Sequence, residues 1–181
     1  MLILLLIFGC QKQVKESKEL TSISIEKKQE ILEIIYKQPN INLCNQQQDK
    51  DLSKESANIL ILNNEQYLVE ILCFLGAYQS NYQYLLLDKN LKKIEVINFD
   101  TFENSTDNLK LININTLTGT TEFDPLTQIL VLETKTRGLG DCGSFAKYQW
   151  KNNQFELQEY RYKANCDEVY ISPENYPLIY P

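Results

Sequence analysis

Between Ala57 and Lys163 the chain breaks into short apolar segments separated by polar turns, the pattern of strands half-buried on one face. Asn58–Leu62 and Tyr67–Phe74 flank Asn63-Asn64-Glu65-Gln66, a hairpin loop by composition. Tyr82–Asp88 and Ile94–Phe99 flank Lys89–Lys93, where Asn90 is the expected left-handed turn residue. Leu109–Asn115 and Gln128–Thr136 read as further strands, with Thr116–Asp124 between them as loop. Phe145–Trp150 and Phe155–Tyr162 close the series around Lys151-Asn152-Asn153-Gln154. In the last segment, strict alternation sets Phe155, Leu157, Glu159 and Arg161 on one face, opposite Glu156, Gln158, Tyr160 and Tyr162. About eight strands with short turns predict a mostly β domain, an antiparallel sheet arranged as a sandwich or barrel-like body. Ahead of it, Ser24 is placed to cap a short helix over Ile25–Lys37, ended by Pro39. Its stripe of Ile25, Ile31, Leu32, Ile34 and Ile35 predicts that it docks on the domain.

The N-terminus reads as an address. Leu2–Phe8 is too short to span a hydrocarbon core, which needs about 20 helical residues, and suits the apolar part of an export signal. Ile7-Phe8-Gly9-Cys10 resembles the bacterial lipobox, which implies cleavage after residue 9 and lipidation of Cys10. Residues 10–23 are polar and form the expected tether, with an r.m.s. reach of about 20 Å. Residues 24–181 then form one domain. Gln11 stands where an inner-membrane retention signal would place Asp, so the expectation is an outer-membrane anchor facing the periplasm.

Setting Cys10 aside leaves Cys44, Cys73, Cys142 and Cys166, an even number in an exported chain and hence two expected disulfides. Four cysteines allow three pairings. One close pair in each half of the chain favours Cys44–Cys73 and Cys142–Cys166. A four-thiolate zinc site lacks the close Cys-x-x-Cys pairs it would need, so no metal or cofactor is expected. The 181 residues contain no histidine, which removes Ser-His-Asp and Cys-His catalysis. A net charge of −6 argues against a nucleic-acid partner.

Two segments carry a family pattern. Cys73-Phe74-Leu75-Gly76-Ala77-Tyr78 is similar to a Cys-x-x-Gly-Ala-Tyr-Asn element. The second runs Arg137-Gly138-Leu139-Gly140-Asp141-Cys142-Gly143, then Tyr148-Gln149-Trp150 and Phe155-Glu156-Leu157. With Cys166 and Tyr176-Pro177-Leu178-Ile179-Tyr180, residues 44–181 resemble the exported bacterial proteins of domain-of-unknown-function family 1176. Gln79 replaces the usual Asn, Asp167-Glu168 replace the common Arg-Gly, and Tyr176 replaces Trp. The resemblance implies no activity.

The candidate functional surface is the loop of Arg137, Gly138, Gly140, Asp141 and Gly143. Its glycines permit exposed backbone N–H groups, and Arg137 is placed to bind an anionic group. The competing reading is structural: the glycines make the turns that bring Cys142 to its partner, and Arg137 pairs with Asp141. Asp88 with Asn90 lacks the glycine and closing Glu of a calcium loop and reads as a solvated turn. Tyr78, Tyr82, Tyr84, Tyr148, Tyr160 and Tyr162 fall on or beside strands, as packing or as a binding face. The chain is therefore expected to be a non-enzymatic, membrane-tethered module that binds an envelope protein or glycan. Inhibition of a lysozyme-like lytic enzyme is the first alternative, and a carboxylate-dependent hydrolase the second.

Overall fold

A computed structural model describes residues 23–47, 49–104 and 109–181. The expected signal segment, Cys10 and the tether up to residue 22 lie outside the described residues. The helix is as expected: α1 spans Ile25–Lys37, and the Ser24 hydroxyl accepts from the Lys27 N–H at 3.2 Å. Ile31, Leu32 and Ile35 are buried, whereas Ile25, expected on the same stripe, is exposed at the first turn. A second helix that sequence reading missed, α2 (Lys50–Ser56), is capped by Asp49, whose carboxylate accepts from the Asp51 and Leu52 N–H groups.

Eleven strands lie among the described residues: β1 (Asn58–Ile61), β2 (Gln66–Leu75), β3 (Ser80–Asp88), β4 (Ile94–Val96), β5 (Phe99–Asn104), β6 (Leu109–Ile114), β7 (Leu117–Asp124), β8 (Ile129–Lys135), β9 (Gly143–Lys151), β10 (Gln154–Lys163) and β11 (Leu178–Tyr180). All pairings are antiparallel. The main sheet has the order β1-β2-β3-β7-β8-β9-β10-β11, and β5–β6 form a separate two-stranded sheet. The sheet forks at β3, whose residues 80–82 pair with β7 while residues 85–87 pair with β4.

The sheet also curls. In a flat sheet β2 and β10, five strands apart in this order, would stand about 24 Å from each other. Instead Leu62 and Leu68 share one core with Trp150, Phe155 and Tyr160. The Gln66 side chain donates to Asn153 at 3.2 Å, tying one hairpin tip to the other. At the centre, Phe99 packs edge-on to Tyr84 at 5.6 Å and Tyr148 at 5.2 Å, and stacks on Phe155 at 5.4 Å. On the opposite face of β2 and β3, Val69, Ile71, Leu85 and Leu87 pack against α1 in a second core. Burial raises the Tyr148 hydroxyl's pKa, and although the Thr101 side chain lies near it, that hydroxyl makes no hydrogen bond of good geometry among the described residues. A lone buried polar group costs about 1–3 kcal/mol. Urea unfolding should therefore find Tyr148→Phe at least as stable as the wild type, with a gain of up to about 1 kcal/mol.

Three sequence expectations are corrected. Thr116–Asp124 is not a loop: residues 117–124 form β7. Its inward positions are Leu117, Gly119, Thr121 and Phe123, and the two small or polar ones blunt the alternation. The left-handed residue of the β3–β4 turn is Leu91 (φ 57°), not Asn90. Asp88 accepts from the Lys92 and Lys93 N–H groups there, and Leu91 packs toward the helix-side core. In β10 a bulge at Gln158 breaks the register between Leu157 and Glu159. Tyr160 thereby joins Phe155 and Leu157 in the core, while Glu159 turns out to pair with both Lys147 and Arg161.

Candidate functional site

The disulfides pair Cys44 with Cys73 and Cys142 with Cys166, as the spacing favoured. Cys73 is itself the bulged residue of β2, turned into the helix-side core. Its partner sits in a 3-10 turn where Cys44, Asn45 and Gln46 all have positive φ. Fully buried Gln83 holds that turn, accepting from the Cys44 N–H at 2.9 Å. Nothing in the strand pattern marks Gln83, because a lone polar residue in an apolar segment reads as a solvent-facing position.

The candidate loop 137–143 joins β8 to β9 and is closed at its base by the Thr136 N–H donating to the Cys142 carbonyl at 3.1 Å. Arg137 and Asp141 form a two-pronged pair, Nε to Oδ1 at 2.8 Å and Nη2 to Oδ2 at 2.6 Å. Arg137 Nη2 also donates to the Cys166 carbonyl at 3.1 Å, and the Glu168 N–H donates to Asp141 Oδ2 at 2.7 Å. The Asp141 side chain is fully buried. Lys163 adds a second fastening: its Nζ donates to the Asp141 carbonyl, the Asn165 carbonyl and Asp167 Oδ1, at 2.6, 2.8 and 2.5 Å. An ammonium has three protons, so all are taken up. Sequence reading missed Lys163, which no motif singles out.

Gly143 is required at a close approach: a Cβ on it would stand 1.9 Å from the Thr134 carbonyl oxygen. The loop is thus a brace that holds both sides of the Cys142–Cys166 bridge. Of the two expectations for Arg137, the structure shows the pairing with Asp141.

The Arg137 guanidinium holds the Asp141 carboxyl well below the usual aspartate range. A carboxylate depressed in the folded state stabilises fully above its unfolded value, about pH 3.9, and that contribution fades as pH falls toward the folded value. Acid titration of the thermal midpoint should therefore show a decline below about pH 4 that is shallower in Asp141→Asn, from a lower starting stability.

The two sequence motifs meet at this end. The Gln79 side chain makes paired hydrogen bonds to the Lys135 backbone, accepting at 2.9 Å and donating at 3.1 Å. Tyr78 lays its ring by Gly138 and donates its hydroxyl proton to the Thr136 carbonyl at 3.2 Å. Around them Leu75, Tyr78, Leu139, Val169 and Tyr170 are exposed.

The two motifs proved to be one structural unit, and the family pattern matches residues 10–181. The chain belongs to the DUF1176 family, described as proteins of unknown function. That match reaches back past α1 to Cys10, beyond the 44–181 the motifs covered. The chain is also 25% identical over 164 residues to the uncharacterized protein YpfG of Escherichia coli (strain K12), covering 88% of this chain and 44% of that one. This DUF1176 chain thus spans less than half the length of the curated relative it matches. No solved structure matches it significantly. No described helix is long and apolar enough to cross a membrane. The two disulfides are consistent with an extracytoplasmic location.

A concavity that sequence reading did not foresee is a groove of about 860 Å³ between β4, β6 and the start of β10. Glu95, Asp100 and Glu156 line it with no Lys or Arg among the described lining residues. Each carboxylate already has a partner: Lys93 for Glu95 at 2.8 Å, the Asn113 amide for Asp100 at 2.8 Å, Lys151 for Glu156 at 3.9 Å. Among the described residues no group of three acidic or cysteine side chains is placed to hold a metal ion.

Proposed function

We propose that the chain is a non-enzymatic binding module, anchored through lipid on Cys10 in the outer membrane and facing the periplasm, which holds an envelope protein on its disulfide-braced end. One observation carries this reading. Where the two family motifs meet, the polar groups pair internally while Leu75, Tyr78, Leu139, Val169 and Tyr170 stay exposed, four of them by more than half of their surface. Large apolar side chains left exposed around one braced end favour a protein contact there, and a rigid backbone lowers the ordering cost of binding. Capture from native envelopes with the anchor retained tests it. The wild-type chain should retain a protein partner that Leu139→Glu and Tyr170→Glu each lose at least tenfold. Equal capture by all three chains, or retention on purified cell-wall glycan that ignores these residues, would overturn it.

A net charge of −6 favours a second reading, capture of a cationic lysozyme-like enzyme. Stoichiometric inhibition of lysozyme, weakening with salt, is the result expected there. Full lysozyme activity at excess chain would remove it. The hydrolase reading has weaker support, because the groove carboxylates are already engaged by Lys93, Asn113 and Lys151.

A further inference from the structure

We infer that the groove beside β4 is a second binding site, which takes an extended, cationic segment of a partner polypeptide as an added strand. The groove is bordered by two stretches of strand edge that have no strand partner among the described residues. On one side, β10 is covered on its outer edge by β11 only from Tyr160 onward; Gln154–Gln158 lie open on that edge. Antiparallel pairing alternates, so every second residue there turns its N–H and C=O away from β9 and into the groove. On the other side, the Lys93 carbonyl accepts from Asp88 and the Ile97 N–H donates to Tyr84, both toward β3. Val96, one residue before Ile97, therefore turns its backbone groups outward. Unpaired edges of this kind recruit strands.

Two further features select the occupant. Tyr180 of β11 lines the groove, so the line of an existing added strand leads directly into the open stretch of β10. The lining carboxylates Glu95, Asp100 and Glu156 face the site with no opposing lysine or arginine among the described lining residues, and amides such as Asn98 and Gln154 supply donors and acceptors. Their present ion pairs with Lys93 and Lys151 are solvent-exposed and weak, so an incoming cation replaces them at little cost. Backbone pairing gives affinity, and alternate basic side chains give selectivity.

The test uses the full 15N-labelled chain and an alternating Lys-Val heptapeptide, with three comparison ligands: the Glu-Val heptapeptide, the Lys-Val peptide N-methylated at alternate residues, and chitohexaose. The Lys-Val peptide should shift the amides of residues 94–98 and 154–158. N-methylation, which removes backbone donors, should weaken it at least tenfold, as should Glu95→Lys and Glu156→Lys. Glu33→Lys, on the exposed face of α1, should leave binding unchanged. Absence of binding, indifference to N-methylation, or chitohexaose shifting the same amides would overturn the inference. The apolar end is untouched by these variants, so envelope capture through Leu139 and Tyr170 succeeds or fails independently.

Discussion

Replacing Phe99 by alanine is expected to cost about 3–5 kcal/mol of folding stability, the range for truncating a buried aromatic. Phe99 is fully buried and meets three rings drawn from β3, β9 and β10, so its loss opens a cavity between the two halves of the curled sheet. Among the described residues those halves do not pair edge to edge, so no backbone ladder compensates. In a chain of this size about 1 kcal/mol moves the thermal midpoint by roughly 2–4 °C. Calorimetry should thus find a fall of about 6–20 °C. A change within about 2 °C would show that the core is divided differently from the cluster around Phe99.

Removing the Cys142–Cys166 bridge as Cys142→Ala/Cys166→Ala is the second large expected effect. In the chain-entropy view, closing a separation of 24 residues contributes about 3–4 kcal/mol. Here the bridge also sets the Cys166 carbonyl against Arg137, so its removal loosens a partner of the Arg137–Asp141 pair. Denaturant unfolding should show a loss of at least about 3 kcal/mol. Exchange of the Glu168 amide, whose N–H is held by Asp141, should accelerate well before global unfolding. Protection at Glu168 unchanged from the wild type would mean that Arg137, Asp141 and Lys163 hold the loop without the bridge.

Much of this architecture is legible in the sequence because half-buried strands alternate. The segments at 58–62, 67–74, 82–88 and 145–162 need no more than that pattern and their turn residues. Asn152 and Asn153 indeed take the left-handed conformation that a two-residue hairpin turn requires. The pattern fails where an inward position is small or where the register slips. Gly119 and Thr121 disguise β7, and the bulge at Gln158 reverses which side chains of β10 face the core. Residues 137–143 do form a connection between two strands, but their arrangement depends on groups far away in the chain: Lys163, the Cys166 carbonyl and the Glu168 N–H converge on residues 137–141 only after folding. The groove is less legible still. It arises from a fork in the sheet and an uncovered strand edge, neither of which leaves a local signal.

The most direct test of the loop as an internal brace, and not an anion site, is the thermal midpoint of the full chain titrated with phosphate at constant ionic strength. With Arg137 taken up by Asp141 and the Cys166 carbonyl, the midpoint should not move with phosphate, in the wild type or in Arg137→Gln. A ligand at 100 times its dissociation constant would add about 2.7 kcal/mol. A saturable rise in the wild type that Arg137→Gln abolishes would contradict the brace and return the loop to ligand binding.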